Sequence, residues 1–167
     1  MRSRRDFLAH AAGLGVGATA LGTLVMGGRG RAVAEPDGRF PVTHTDAVWH
    51  ARLTSAQYDI LREGGTERAF TSPLNGEHRH GSFACAGCDS KLYSSETKFD
   101  SGTGWPSFYQ PIANAVGERP DRSLGIMRTE VHCATCGGHL GHVFDDGPRP
   151  TGLRYCMNGV AMNFLAA

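Results

Sequence analysis

Hydrophobic residues follow three different spacings along this chain. From Ala9 to Gly28 they run almost unbroken, in a stretch rich in Ala and Gly and uncharged apart from His10. Around residues 54–65 they recur at helical spacing. Thr54-Ser55-Ala56-Gln57 reads as a capping box, in which the Thr hydroxyl and the Gln side chain each satisfy an orphan backbone N–H. Tyr58 and Leu61 then share a face, and Gly64-Gly65 ends the helix. Beyond this point the helical period fades. Short runs of aromatic and β-branched residues predict strands over 82–85, 91–93, 108–112, 124–131, 140–144, 153–158 and 160–164. Asp121-Arg122-Ser123, Asp145-Asp146-Gly147-Pro148 and Asn158-Gly159 punctuate them as turns. The pattern predicts a mainly β domain behind a small helical N-terminal part.

The first 34 residues differ from the rest. Arg2, Arg4 and Arg5 precede the apolar stretch in a twin-arginine pattern, and Ala32 and Ala34 supply the small residues of a cleavage site. The expectation is a twin-arginine signal peptide over 1–34, cut after Ala34, followed by an irregular lead-in over 35–45. An uncut membrane anchor is the alternative, although the apolar run is only marginally long enough to span a bilayer. The twin-arginine route resembles bacterial export of folded proteins, which suits a chain that loads a metal before crossing. The expected location is periplasmic or extracellular, with no stable membrane insertion after cleavage. Removal of five basic residues and one acidic residue from totals of 17 and 16 leaves 12 and 15, a net charge near −3. Such a balance argues against nucleic acid as a partner. The remaining length fits a single domain with a core of its own.

Cysteine spacing carries the first chemistry. Cys85-Ala-Gly-Cys88 and Cys133-Ala-Thr-Cys136 are two CxxC pairs, and together they read as one four-thiolate site for a structural Zn²⁺. Such a site is coordinatively closed and is not expected to catalyse. Two disulfides formed after export are the alternative. Redox-active CxxC pairs usually precede a helix in a thioredoxin-like context, which is absent here.

Cys156 is the fifth cysteine and has no CxxC partner. On a strand, Arg154, Cys156 and Asn158 share one face, so a thiol lies between a cation and an amide donor, and both read as groups that hold a thiolate or bind a substrate oxygen beside it. A lone cysteine can be a nucleophile or simply a buried structural residue. His139 and His142 are three apart, and a regular strand would turn them to opposite faces. Each reads either as a core histidine or as a proton donor near neutral pH. Residues 99–108 form a Gly-rich turn displaying Trp105, either a core aromatic or an apolar wall for a small group such as a methyl.

Lys98-Phe99-Asp100-Ser101-Gly102-Thr103-Gly104-Trp105-Pro106-Ser107-Phe108, the run from His139 to Pro148 and the run from Thr151 to Asn158 together resemble the methionine-R-sulfoxide reductases of the zinc-containing type. The likeness spans about residues 46–164, so 46–167 is expected to be the reductase domain. It implies two antiparallel β-sheets of the β-tent type, short N-terminal helices and a zinc held by the four paired cysteines away from the active site. It implies that methionine R-sulfoxide, mainly in oxidised proteins, is reduced by Cys156 as nucleophile through a sulfenic acid. Trp105 would receive the substrate's methyl group. His139, His142 and Asn158 would surround the sulfoxide, with Asp146 nearby and Phe164 closing the apolar side. His142 would protonate the departing oxygen. Two departures stand out. Many members carry a resolving cysteine where this chain has Thr103, which cannot form a disulfide. An external thiol, such as a thioredoxin-like protein, would therefore regenerate a monomeric enzyme. The second departure is Gly159, where the family usually has Ser.

Two other readings compete. A zinc-dependent binding module would bury Cys156 inert, and a thiol–disulfide oxidoreductase would use metal-free CxxC pairs.

Overall fold

The computed structural model describes residues 40–123 and 125–167. The expected signal peptide and the first part of the lead-in lie outside the described residues. Two short helices open the described chain, α1 (Asp46–Arg52) and α2 (Ser55–Glu63). Thr54 caps α2 as its spacing predicts: Gln57 N donates to Thr54 Oγ1, and Thr54 N donates to Gln57 Oε1. Gly64 closes the helix at φ 72°, a conformation without steric cost only for glycine. Helix α1 is not legible in the hydrophobic pattern. Only Trp49 of its seven residues is buried, which is too little to set a period.

Nine strands follow: β1 (Gly81–Cys85), β2 (Lys91–Ser94), β3 (Lys98–Phe99), β4 (Ser107–Phe108), β5 (Val116–Asp121), β6 (Arg128–Cys133), β7 (His139–Phe144), β8 (Arg154–Met157) and β9 (Met162–Ala166). They form a three-stranded sheet in the order β2-β1-β9 and a six-stranded sheet in the order β3-β4-β8-β7-β6-β5. All pairings are antiparallel. The fold is therefore mainly β with two antiparallel sheets and two short helices.

Several expected runs are trimmed. The strand expected over 108–112 ends at Phe108, because Ile112 N turns to donate to Leu92 O at 2.8 Å. The run expected over 124–131 begins only at Arg128, the residues before it connecting β5 to β6. The run over 160–164 opens with a 3-10 turn, Gly159–Ala161, before β9. Strand β5 departs from the expected pattern, since Glu118, Arg119 and Pro120 make it polar. It is the edge of its sheet, where a proline costs no ladder hydrogen bond.

The core lies between the sheets. Tyr93 stacks on Phe108 at 4.3 Å, and Phe83 meets the same ring edge-on at 4.9 Å. Tyr155 and Met157 of β8 face inward and are fully buried, while Arg154 and Cys156, which alternate with them, are half-buried on the other face. Burial of each such side chain contributes roughly 1.5–3 kcal/mol. The alternation read from the sequence thus holds at β8, and it turns Cys156 away from the core. Helix α2 lies against β7 and the 3-10 turn, so it supports the outer face of the same sheet.

Candidate active site and metal centre

Both CxxC segments sit at strand ends. Cys85 closes β1 and Cys133 closes β6. Each turn is fixed by the backbone: Asp89 N donates to Cys85 O at 2.9 Å, and Gly137 N donates to Cys133 O at 2.8 Å. Gly137 has φ 70°, and a Cβ there would lie 2.2 Å from the Phe40 ring. The four sulfurs lie within 4.8 Å of one another. Cys85 Sγ and Cys136 Sγ are 3.6 Å apart, as are Cys88 Sγ and Cys133 Sγ. Sulfurs about 2.3 Å from a tetrahedral ion stand about 3.8 Å from each other, so this donor set fits a metal ion. A disulfide would need a separation of about 2.05 Å. None of the four cysteines lines the cavity at Cys156.

Cys156 opens into a cavity of about 130 Å³, lined by Trp105, His142, Phe144, Asn158 and Arg128 among others. That volume holds about four water molecules or a side-chain end of similar size. Strand pairing builds it. In the β7–β8 ladder His142 lies directly opposite Cys156. Directly opposed residues share a face with Cβ atoms roughly 4.5–5.5 Å apart. In the β4–β8 ladder Ser107 is the partner of Cys156, which brings the Trp105 turn to the same place.

The two histidines are not on opposite faces, as a regular strand would have them. His132 pairs with His139 but Val131 pairs with Gly141, so β7 carries one extra residue. Such a bulge resets the alternation. His139 and His142 consequently face the same way, with ring centroids 5.4 Å apart. Each is held by a carboxylate. His142 Nε2 is 2.7 Å from Asp121 Oδ2, and His139 Nδ1 is 2.9 Å from Glu130 Oε1. Each carboxylate is in turn held by an arginine, Arg128 on Asp121 and Arg119 on Glu130. Burial pushes the His142 imidazolium below its usual range, with Asp121 opposing and Arg128 reinforcing the shift. Backbone donation from Ser123 and the contact with His142 lower the Asp121 carboxyl. Burial raises Glu130, but His139 and Arg119 outweigh it and hold the carboxyl at about 2. His139 does not line the Cys156 cavity. It lines a neighbouring cavity of about 500 Å³ together with His142. Its Nε2 is buried without a hydrogen-bond partner among the described residues.

Other expected residues take different places. Asn158 lines the cavity, but its amide is engaged at both ends: Nδ2 donates to Leu140 O at 3.1 Å and Oδ1 accepts from Glu67 N at 3.0 Å. Trp105 Nε1 donates to Glu67 O at 3.0 Å. Arg154 makes a two-pronged contact with Asp146 at 2.8 Å and covers the Phe144 ring at 4.4 Å. Asp146 holds the guanidinium charged despite burial, and Cys156 adds to that effect. Asp146 is largely exposed, and neither it nor Arg154 lines the cavity; Arg154 adjoins it by covering Phe144, which does. Phe164 is not at the site. It packs on Phe83 at 5.2 Å beneath Arg79, in the other sheet. Spacing alone does not assign its strand to a sheet, and the expected apolar wall at Phe164 is therefore corrected.

Thr103 does stand beside the thiol, with Oγ1 3.7 Å from Cys156 Sγ. Its hydroxyl continues through Ser101 at 2.8 Å to Ser107 at 2.7 Å. Gly159 also finds a reason, because a Cβ there would lie 1.8 Å from Ser72 Oγ. Asp121, Glu130, Arg128 and Glu67 join the site without any forewarning in the sequence. Their only signal is cross-strand and loop contact, which linear spacing does not carry.

The chain matches the SelR domain model over residues 53–166. It is 56% identical over 124 residues to the peptide methionine sulfoxide reductase MsrB of Agrobacterium fabrum, covering 74% of this chain and 92% of that protein. It is 57% identical over 121 residues to the peptide methionine sulfoxide reductase MsrB of Thiobacillus denitrificans, covering 72% and 92%. It is 52% identical over 126 residues to that of Leptospira interrogans, covering 75% and 96%.

Proposed function

The chain belongs to the SelR-domain family of peptide methionine sulfoxide reductases MsrB, and from that membership we propose that it reduces the R epimer of methionine sulfoxide in oxidised proteins, with Cys156 as the nucleophile. The observation that carries the assignment of roles is the direct pairing of His142 with Cys156 in one small cavity beside Trp105.

Sulfoxide sulfur is a poor electrophile until its oxygen gains a proton. His142 supplies that proton while the Cys156 thiolate attacks sulfur. Asp121 accepts from one ring nitrogen and so stabilises the imidazolium form needed at the moment of attack. The lowered imidazolium range in the free enzyme makes His142 a strong acid when it is protonated. The oxygen leaves methionine and ends on Cys156 as a sulfenic acid, a two-electron oxidation of cysteine matched by the reduction of the sulfoxide. An external thiol then attacks the sulfenic sulfur, releasing water and forming a mixed disulfide. A second thiol of the donor resolves it and restores Cys156. A thioredoxin-like dithiol provides both. Trp105 and Phe144 supply apolar contact for the methyl group, and Arg154 carries positive charge to the thiolate side.

The four paired cysteines hold zinc in this reading, a closed ion that staples β1 to β6 and takes no part in the reaction. Export by the twin-arginine route, with cleavage after Ala34, delivers the loaded enzyme to the periplasm or exterior. Replacement of Arg4 and Arg5 by Lys followed by cell fractionation tests that step, and unaltered export rejects it.

The test of function is turnover of separated sulfoxide epimers in a peptide with dithiothreitol as donor. Wild-type protein should consume only the R epimer, and Cys156→Ala should consume neither. Consumption of the S epimer, or activity in Cys156→Ala, overturns the proposal.

A further inference from the structure

The turn after β8 has an unusual cap. Asn158 precedes the 3-10 turn Gly159–Ala161, the position from which an asparagine side chain normally accepts a hydrogen bond from the turn's own N–H groups. Here it makes no such bond. Its amide is diverted, with Oδ1 on Glu67 N and Nδ2 on Leu140 O. The orphan N–H groups of the turn are satisfied from elsewhere. Gly159 N donates to Glu67 Oε1 at 2.6 Å, and Val160 N donates to Glu67 Oε2 at 3.0 Å. Glu67 also accepts from Trp105 Nε1 through its carbonyl. One residue of the loop after α2 thus touches the cavity's tryptophan, its asparagine and the chain immediately following Cys156. The same loop is held to the Trp105 turn a second time, where Phe70 N donates to Gly104 O at 2.7 Å. Phe70 adopts φ 65° to do so, a conformation disfavoured for an aromatic residue. Strain of this kind is retained only where the surroundings enforce it.

We propose that Glu67 is a positioning residue for the reaction: its carboxylate caps the turn behind Cys156 from another part of the chain while its main chain fixes Trp105 and Asn158. It lines no part of the cavity itself. Two charge-assisted hydrogen bonds to consecutive N–H groups hold the turn more firmly than a self-capping amide. They also hold the loop after α2, the strap over the Trp105 turn, where its Glu67 carbonyl meets the indole N–H. Without the carboxylate, wall and nucleophile lose their common reference.

The inference rests on the reductase reading, and the experiment separates the two. Single turnover of the R-sulfoxide peptide is timed for wild type, Glu67→Ala and Glu67→Gln, all zinc-loaded. The indole N–H resonances of the two tryptophans are recorded in ¹⁵N-labelled protein. Trp49 lies in the core and reports global fold, whereas Trp105 reports the strap. The expected result for Glu67→Ala is a turnover rate about 10- to 100-fold lower, with only the Trp105 signal displaced. Glu67→Gln keeps one acceptor oxygen and should fall between. A Glu67→Ala rate within about twofold of wild type overturns the proposal. If Glu67→Ala displaces both indole signals, Glu67→Gln decides: a rate at least about threefold down with only Trp105 moved supports positioning, and a wild-type rate overturns it. A wild type inactive on the R epimer would instead reject the reductase reading, and the positioning role would fall with it.

Discussion

Asp121→Asn removes one charge and almost no volume from the pair that faces Cys156. Asp121 Oδ2 is 2.7 Å from His142 Nε2, a distance typical of a charge-assisted bond. Such bonds contribute about 1.5–3 kcal/mol, and every 1.4 kcal/mol is about tenfold in rate. If that bond is stronger to the imidazolium than to the neutral ring, its loss should slow single turnover of the R-sulfoxide by roughly 10- to 100-fold. The pH dependence gives a second, independent signature. Burial already lowers His142, Asp121 opposes the shift, and Arg128 adds to it. Removal of the carboxylate leaves burial and Arg128 unopposed, so His142 ionises at still lower pH. The limb of the rate profile that follows loss of the His142 proton should move toward acid. Rapid-quench single turnover across a pH series, with Cys156 alkylation as a control for the nucleophile, measures both effects. An Asp121→Asn rate equal to wild type, with the limb in place, would refute the role given to His142 and its carboxylate.

Three further outcomes are expected. Thr103→Cys places a sulfur where Oγ1 is 3.7 Å from Cys156 Sγ, so turnover without donor should leave an internal disulfide and a mass about 2 Da lower; an unchanged sulfenic acid in that variant would contradict the geometry. In the proposed zinc-loaded protein, removal of the ion by a chelator, or Cys133→Ala, should cost at least about 3 kcal/mol and lower Tm by roughly 10–20 °C, checked by metal analysis and calorimetry. Glu130 has its folded-state carboxyl lowered to about 2 from 4.5, so its contribution of roughly 2–3 kcal/mol is present above the ordinary value and disappears as pH falls between the two. Denaturant unfolding of Glu130→Gln against wild type should therefore show a constant deficit near neutrality that shrinks below about pH 4.5.

What the sequence discloses follows physical range. The capping box at Thr54 and the alternation at β8 are local, set within a few residues, and both are present in the structure. The CxxC pairs are also local, and although their convergence is not, the doubled spacing already reads as one four-thiolate site, and the four sulfurs do lie together. The histidines mislead for the opposite reason. A one-residue bulge opposite His132 changes the phase of β7, and no spacing rule reveals where a ladder slips. Strand β5 is hidden by its own polarity, yet it delivers Asp121 to His142. Phe164 belongs to a different wall from the expected one because β9 joins the three-stranded sheet, a pairing decided by distant partners. Glu67 is invisible in sequence because its hydrogen bonds span 38 to 93 positions.

In the proposed reaction Cys156 takes the oxygen. One turnover of the protein with the R-sulfoxide peptide, without any reductant, followed by intact-mass measurement and dimedone trapping, tests it most directly. The predicted result is one methionine per chain, a species about 16 Da heavier and an adduct confined to Cys156. Methionine formed with Cys156 unmodified, or no methionine at all, would contradict it.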